Sequence, residues 1–123
     1  VIIIDDVLSA GGTKEEAVEF LRQTGKKIEL KGVLVAVNRL EKDQENQNPT
    51  EEFEKKHQLP IKSIVNIWEI INYLNNREIE GKIWVDDEIK KRIEEYLLKY
   101  GIDEIKAEIK NEIHQEIESV KKI

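Results

Sequence analysis

The 123-residue chain carries 26 acidic against 20 basic side chains, a formal net charge of −6, and so offers no basic stripe for a nucleic-acid backbone or an anionic membrane. With no cysteine, it excludes a disulfide framework, a thiolate zinc site and a cysteine nucleophile. No apolar run reaches the length of a membrane span, and the N-terminus has neither the basic start nor the cleavage region of a secretory signal, so the cytoplasm is the expected compartment.

The length suits one compact domain with a modest core. The chain contains no methionine and opens on the apolar run Val1-Ile2-Ile3-Ile4. Such a β-branched run reads as a parallel strand that needs neighbours on both sides, and Val1 is expected to lie inside a longer protein. Asp5-Asp6-Val7-Leu8-Ser9-Ala10-Gly11-Gly12-Thr13 then reads as a loop whose small residues allow tight turns and close approach of the backbone to a ligand. A helix follows, with Ala17, Val18 and Leu21 at helical spacing, Glu15 and Glu16 in its first turn, and Gly25 as its stop. Residues 32–37 form a second expected strand, ending at Asn38-Arg39.

The stretch 40–48 is polar and irregular, and Pro49-Thr50 opens a short acidic helix running to about His57. After Pro60, residues 61–65 read as a third strand, and Asn66 caps a helix carrying Ile67, Trp68, Ile70, Ile71 and Leu74. Asp86 caps the next helix, which ends at Gly101, and Asp103 starts a last one. In that last helix Ile105, Ile109, Ile113, Ile117, Val120 and Ile123 make one apolar stripe, to be covered by the parent domain or by a partner helix. The alternation of strands and helices implies an α/β fold with a parallel sheet, right-handed crossovers and helices on both faces.

In open parallel sheets ligands bind beyond the carboxyl ends of the strands, where residues 5–13 are expected. The amides of Ala10, Gly11, Gly12 and Thr13 can line one concavity at a helix start, where the macrodipole favours an anion. The hydroxyls of Ser9 and Thr13 add donors. Asp5 and Asp6 repel phosphate but suit the hydroxyls of a sugar or a magnesium-bound water. Together these donors and acceptors match a sugar phosphate. A Walker-type loop is excluded because no Lys-Ser or Lys-Thr pair follows the glycines. A bacterial receiver domain also opens on a strand with an acidic pair, but it needs an aspartate at a later strand end. Here those ends are Asn38-Arg39 and Val65-Asn66.

Residues 1–13 resemble the ribose-phosphate-binding motif of the type I phosphoribosyltransferases, enzymes that use phosphoribosyl pyrophosphate (PRPP): four apolar residues, two acids, two apolar residues, Ser or Thr, a small residue, Gly, a variable residue and often Ser or Thr. From there to about Gly101 the chain resembles orotate phosphoribosyltransferase, which joins orotate to PRPP to give orotidine monophosphate in pyrimidine (UMP) biosynthesis. The family's strand after the motif helix ends in Asp-Arg-Gln-Glu, against Asn38-Arg39-Leu40-Glu41 here, so Arg and Glu are kept while Asn38 and Leu40 depart.

The resemblance implies a partial type I phosphoribosyltransferase fold over residues 1–101, the C-terminal portion of that domain, followed by an amphipathic helix over 102–123. It implies that Asp5 and Asp6 hold the ribose hydroxyls, within a PRPP site comprising Asp5, Asp6, Val7, Leu8, Ser9, Ala10, Gly11, Gly12 and Thr13, with Ser9 and Arg39 on orotate. Arg39 suits the base because a guanidinium fork matches the carboxylate that orotate carries. Magnesium is expected to travel with PRPP rather than bind the chain directly, and the parent enzyme is expected to be a homodimer. The mobile lysine loop of the family is expected upstream, so the fragment alone is expected to be inactive. A phosphoribosyltransferase for another base, or a non-catalytic PRPP-binding regulator, is the alternative. His57 and His114 are expected on solvated helix surfaces without a catalytic role, and Trp68 and Trp84 as core or docking residues.

Overall fold

The computed structural model describes residues 1–8, 13–25 and 27–122. The chain runs β1 (Ile2–Leu8), α1 (Thr13–Gln23), β2 (Gly32–Asn38), α2 (Pro49–His57), β3 (Ile61–Asn66), α3 (Ile67–Leu74), β4 (Glu78–Ile79), β5 (Lys82–Ile83), α4 (Asp87–Tyr100) and α5 (Asp103–Lys121). It divides within α3 into two compact units, Val1–Ile70 and Ile71–Ile123.

In the first unit β1, β2 and β3 form a parallel sheet in that order, with Ile4 opposite Leu34 and Leu34 opposite Lys62. Side chains alternate across a strand, so odd-numbered residues of all three strands share one face and even-numbered residues the other. The odd face is the core. Val33, Val35 and Ile61 are buried there with Val18 of α1, Phe53 of α2 and Leu59, Ile3 and Leu30 pack against them, and Leu8, the last residue of β1, joins the same cluster although it is even-numbered. The even face is open: Ile2, Ile4 and Ile64 are 60%, 77% and 68% exposed. Gly32 is required where the chain enters β2, because a Cβ there would stand 2.8 Å from the Pro60 carbonyl that accepts the Val33 amide.

The helix starts follow the sequence. Asn48 accepts from the Thr50 amide ahead of Pro49. Asn66 accepts from the Glu69 amide while the Glu69 carboxylate takes the Asn66 amide at 3.1 Å, a reciprocal capping box. Asp86 accepts from the Ile89 amide. Gly25, in the left-handed region at φ +68, follows the end of α1 as its expected stop.

Three expectations change. β1 runs through Asp5 and Asp6 to Leu8, because Val7 and Leu8 continue the parallel pairing opposite Val37 and Asn38; the acids are strand residues, not loop residues. His57 is 5% exposed rather than solvated, its ring 4.7 Å from that of Phe53, since the Phe53-to-His57 spacing brings both onto the buried side of α2. The hairpin β4–β5 went unpredicted. It turns through Glu80 and Gly81, both at positive φ, and its two-residue strands are too short to show a period.

In the second unit α4 and α5 pack on each other. Ile105 and Ile109 of the expected stripe are buried and Ile113 is half-buried, whereas Ile117 and Val120 are exposed; Ile123 lies outside the described residues. Gly101 makes the corner between the helices, where a Cβ would collide with the Leu97 carbonyl. Trp68, in the first unit, is buried, which of the two expected roles, core or docking, is the core one. Trp84 is half exposed, with its indole N–H directed at the Ile79 carbonyl and the Lys82 ammonium 4.1 Å from its ring centroid. His114 is exposed. Among the described residues no helix is long and apolar enough to cross a membrane.

Candidate functional site

The three parallel strands finish in one row, Leu8 opposite Asn38 and Asn38 opposite Asn66. This row is the carboxyl edge of the sheet. From it the chain leaves β1 towards the start of α1, leaves β2 at Arg39, and turns from β3 directly into α3. Ser9, Ala10, Gly11 and Gly12, which carry the expected amide cradle, lie outside the described residues, as does the side chain of Thr13; the backbone of Thr13 opens α1.

The two acids of the motif part company. Asp5 is on the core face and Asp6 on the open face, as strand alternation requires. Asp5 Oδ2 receives the Lys14 ammonium at 3.3 Å, and Asp5 Oδ1 accepts the Asp6 amide at 2.9 Å. Lys14 Nζ also donates to the Val7 carbonyl at 3.1 Å, and its side chain is almost wholly buried. The Asp6 amide, foremost, and the Lys14 ammonium hold the Asp5 carboxyl below the ordinary aspartate range, against the opposing pull of burial. Asp6 is exposed, and its Oδ1 accepts the Val7 amide at 2.7 Å.

Lys14 is the residue that sequence reasoning missed. Its only signal in the sequence is a lysine one position after the motif, to which the motif itself gives no role. Nothing in its spacing from Asp5 announced the pair, because β1 and α1 are joined by a loop rather than sharing a helical period.

Arg39 follows the last residue of β2, half exposed, and donates to Glu41 Oε1 at 3.0 Å. Asn38 turns its side-chain oxygen to the Leu40 amide at 2.8 Å, and Leu40 sits at φ +59. This Asx turn carries the chain away from the sheet edge immediately after Arg39. Behind the start of α1, Glu15 accepts from Lys56 at 2.9 Å and stands 3.9 Å from His57 Nε2, a buried nitrogen with no hydrogen-bond partner among the described residues.

A strand, loop and helix start at the carboxyl edge of a parallel α/β sheet is a layout in which open α/β folds bind ligands. The crystal structure of an orotate phosphoribosyltransferase from Francisella tularensis superimposes with a TM-score of 0.60 at 24% identity, covering 82% of this chain and 46% of that one. In sequence, the chain is 36% identical over 101 residues to the orotate phosphoribosyltransferase of Clostridium botulinum and 37% identical over 101 residues to that of Clostridium beijerinckii, 82% of this chain in each case. It spans 45% of the length of these curated relatives. No protein-family model matches the chain. The resemblance carried by the residues of the motif therefore holds across about four fifths of the chain: it is similar to a segment of orotate phosphoribosyltransferase.

Proposed function

We propose that the chain is the C-terminal portion of an orotate phosphoribosyltransferase, the part that holds PRPP and contributes to the orotate site. The observation that carries this is the motif itself: an acidic pair near the end of a parallel strand, followed by a Ser- and Gly-containing loop and a helix start, in a chain that matches orotate phosphoribosyltransferases over 82% of its length. In this reading residues 9–13 bind the 5-phosphate, the motif acids face the ribose, and Ser9 and Arg39 bind orotate. Magnesium enters with the pyrophosphate of PRPP as part of the substrate. The reaction is displacement at the anomeric carbon, with pyrophosphate leaving as the bond to the orotate nitrogen forms. Positive charge develops on the ribose ring in the transition state, and nearby carboxylates stabilise it. The parent enzyme is a cytoplasmic homodimer.

The 123-residue chain by itself is expected to form no orotidine monophosphate from orotate and magnesium-PRPP. In the parent enzyme Arg39→Ala should weaken orotate by about one to two decades, the loss of a charge-assisted bond worth roughly 1.5–3 kcal/mol, and leave PRPP nearly unchanged. Isothermal titration distinguishes the outcomes. Unchanged orotate affinity, or an equal loss for both substrates, would reduce Arg39 to a strand-end charge and leave a phosphoribosyltransferase for another base.

A further inference from the structure

The helix α5 carries two apolar seams. In an α-helix a row of every fourth residue turns about 40° around the axis at each step. The row Ile105, Ile109, Ile113, Ile117 therefore starts on the side packed with α4, where Ile105 and Ile109 are buried, and has rotated off that side by Ile117. Ile113 is half-buried, and Ile117 and Val120 are 48% and 70% exposed. From Ile113 the spacing is four and then three, the alternation of a coiled-coil seam. α5 follows residues 1–101, the stretch that carries the resemblance to orotate phosphoribosyltransferase, so that resemblance assigns this outer seam no partner.

The charges beside the outer seam differ between its flanks. On the helical wheel Glu116 stands about 70° to one side of the line through Ile113, Ile117 and Val120, and Lys121 about 70° to the other. We infer that this seam pairs in parallel with the same seam of a second copy of the chain, Glu116 of each copy meeting Lys121 of the other. In a parallel two-fold pair the opposite flanks of the two helices meet, and residues five apart, one on each flank, come within reach across the seam. In an antiparallel pair like flanks meet, which would set the glutamates against each other. Lys121 gives up little on pairing, since its contact with Glu118, at 3.8 Å, joins two exposed side chains. Ahead of Ile113 the seam positions are Lys110 and Lys106, which face their own copies in a parallel pair. The two helices therefore diverge toward Gly101, and α4 keeps its place. A seam of three residues per copy makes a weak pair, populated at high protein concentration, rather than an obligate dimer. The pairing needs neither PRPP nor orotate, so it stands or falls apart from the function proposed above.

The test uses the 123-residue chain, which has no cysteine, so that Val120→Cys supplies a single thiol. Val120 meets its own copy only in the parallel pair. At about 1 mM, where weak pairs are populated, Val120→Cys should form a disulfide-linked dimer under mild oxidation. Glu108→Cys, on the far side of α5, should not. Sedimentation equilibrium reads the charges. Glu116→Lys and Lys121→Glu should each weaken pairing about three- to tenfold, and the two together should restore it. Ile117→Ser should weaken it about tenfold or more. Ile117, Glu116 and Lys121 are exposed, so these variants should keep the fold, as circular dichroism checks.

A chain that stays monomeric at about 1 mM, or a dimer indifferent to Ile117→Ser, would overturn the pairing. Single charge variants that are not rescued by the double variant, or Val120→Cys cross-linking no better than Glu108→Cys, would overturn the parallel arrangement. Ile4→Thr, combined with Val120→Cys, should leave the cross-link in place. Its loss there would assign the contact to the open face of the sheet and overturn the role of α5.

Discussion

The two faces of the β1–β3 sheet carry similar residues and meet different surroundings. On the odd face Val33, Val35 and Ile61 are sealed under α1 and α2, and Val35 has no exposed surface at all. On the even face Ile2, Ile4 and Ile64 remain open although they are as apolar as their neighbours. Parallel sheets ordinarily have both faces covered, which is why their strands read as unbroken apolar runs. The apolar run at residues 1–4 therefore records a strand built to be covered twice, and in this chain it is covered once. The same alternation separates Asp5 from Asp6, so one rule governs both the core and the site.

The sharpest test of the contrast is a pair of truncations. Phe53→Ala empties the covered face and should cost about 3–5 kcal/mol. Ile4→Thr on the open face should stay within about 0.5 kcal/mol, and should reduce association of the chain if that face is sticky. Urea unfolding of the two variants checks the difference; similar losses would mean that the even face is also packed.

Lys14→Met should have an intermediate effect, about 1–2 kcal/mol near neutral pH, because it leaves a partly buried carboxylate without its cation. The pH dependence has a definite sign. The folded-state pKa of Asp5 lies below the ordinary value of 3.8, so its contribution is fully present above that value and fades as pH falls through the depressed pKa. The gap between the original chain and Lys14→Met should narrow over that acid window. A gap that persists unchanged into strong acid would assign the loss to packing.

The smallest effect belongs to the second unit. Burial, foremost, with the carboxylates of Glu116, Glu112 and Glu95, raises the Glu94 pKa, against the opposing influence of Lys90. An acid with a raised folded-state pKa favours the fold below its ordinary value of 4.5 and disfavours it as pH climbs through the raised pKa. Glu94→Gln should accordingly gain about 0.5 kcal/mol at neutral pH and nothing in acid, as thermal unfolding at two pH values would show.

What the sequence made legible follows from how local each signal is. Asn48, Asn66 and Asp86 cap helices through amides two or three residues away, and all three starts could be read directly. The strand runs at Gly32 and Ile61 were equally plain, because β-branched residues in series have few other readings. The Lys14 tether was hidden: it joins two elements across a loop, and no period links them. His57 misled because α2 is charged on most of its surface, yet the residue one turn after Phe53 inherits the buried side. The end of β1 was set too early, since an acidic pair suggests solvent, whereas a strand admits acids when one finds a lysine and the other an open face. Asn38 and Leu40, the two departures from the family pattern, form the turn after Arg39, a backbone arrangement that only coordinates reveal.

Residues 9–13 and the acidic pair are proposed to form one site for a phosphorylated ribose. The most direct measurement is a titration of the isotopically labelled 123-residue chain with magnesium-PRPP, followed through its backbone amide resonances. Saturable shifts are expected to concentrate at Ala10, Gly11, Gly12 and Thr13 and at Asp6, with small changes at Val35 and Phe53 in the core. Shifts scattered over the exposed lysines of α4 and α5, or none near the motif at saturating PRPP, would contradict it.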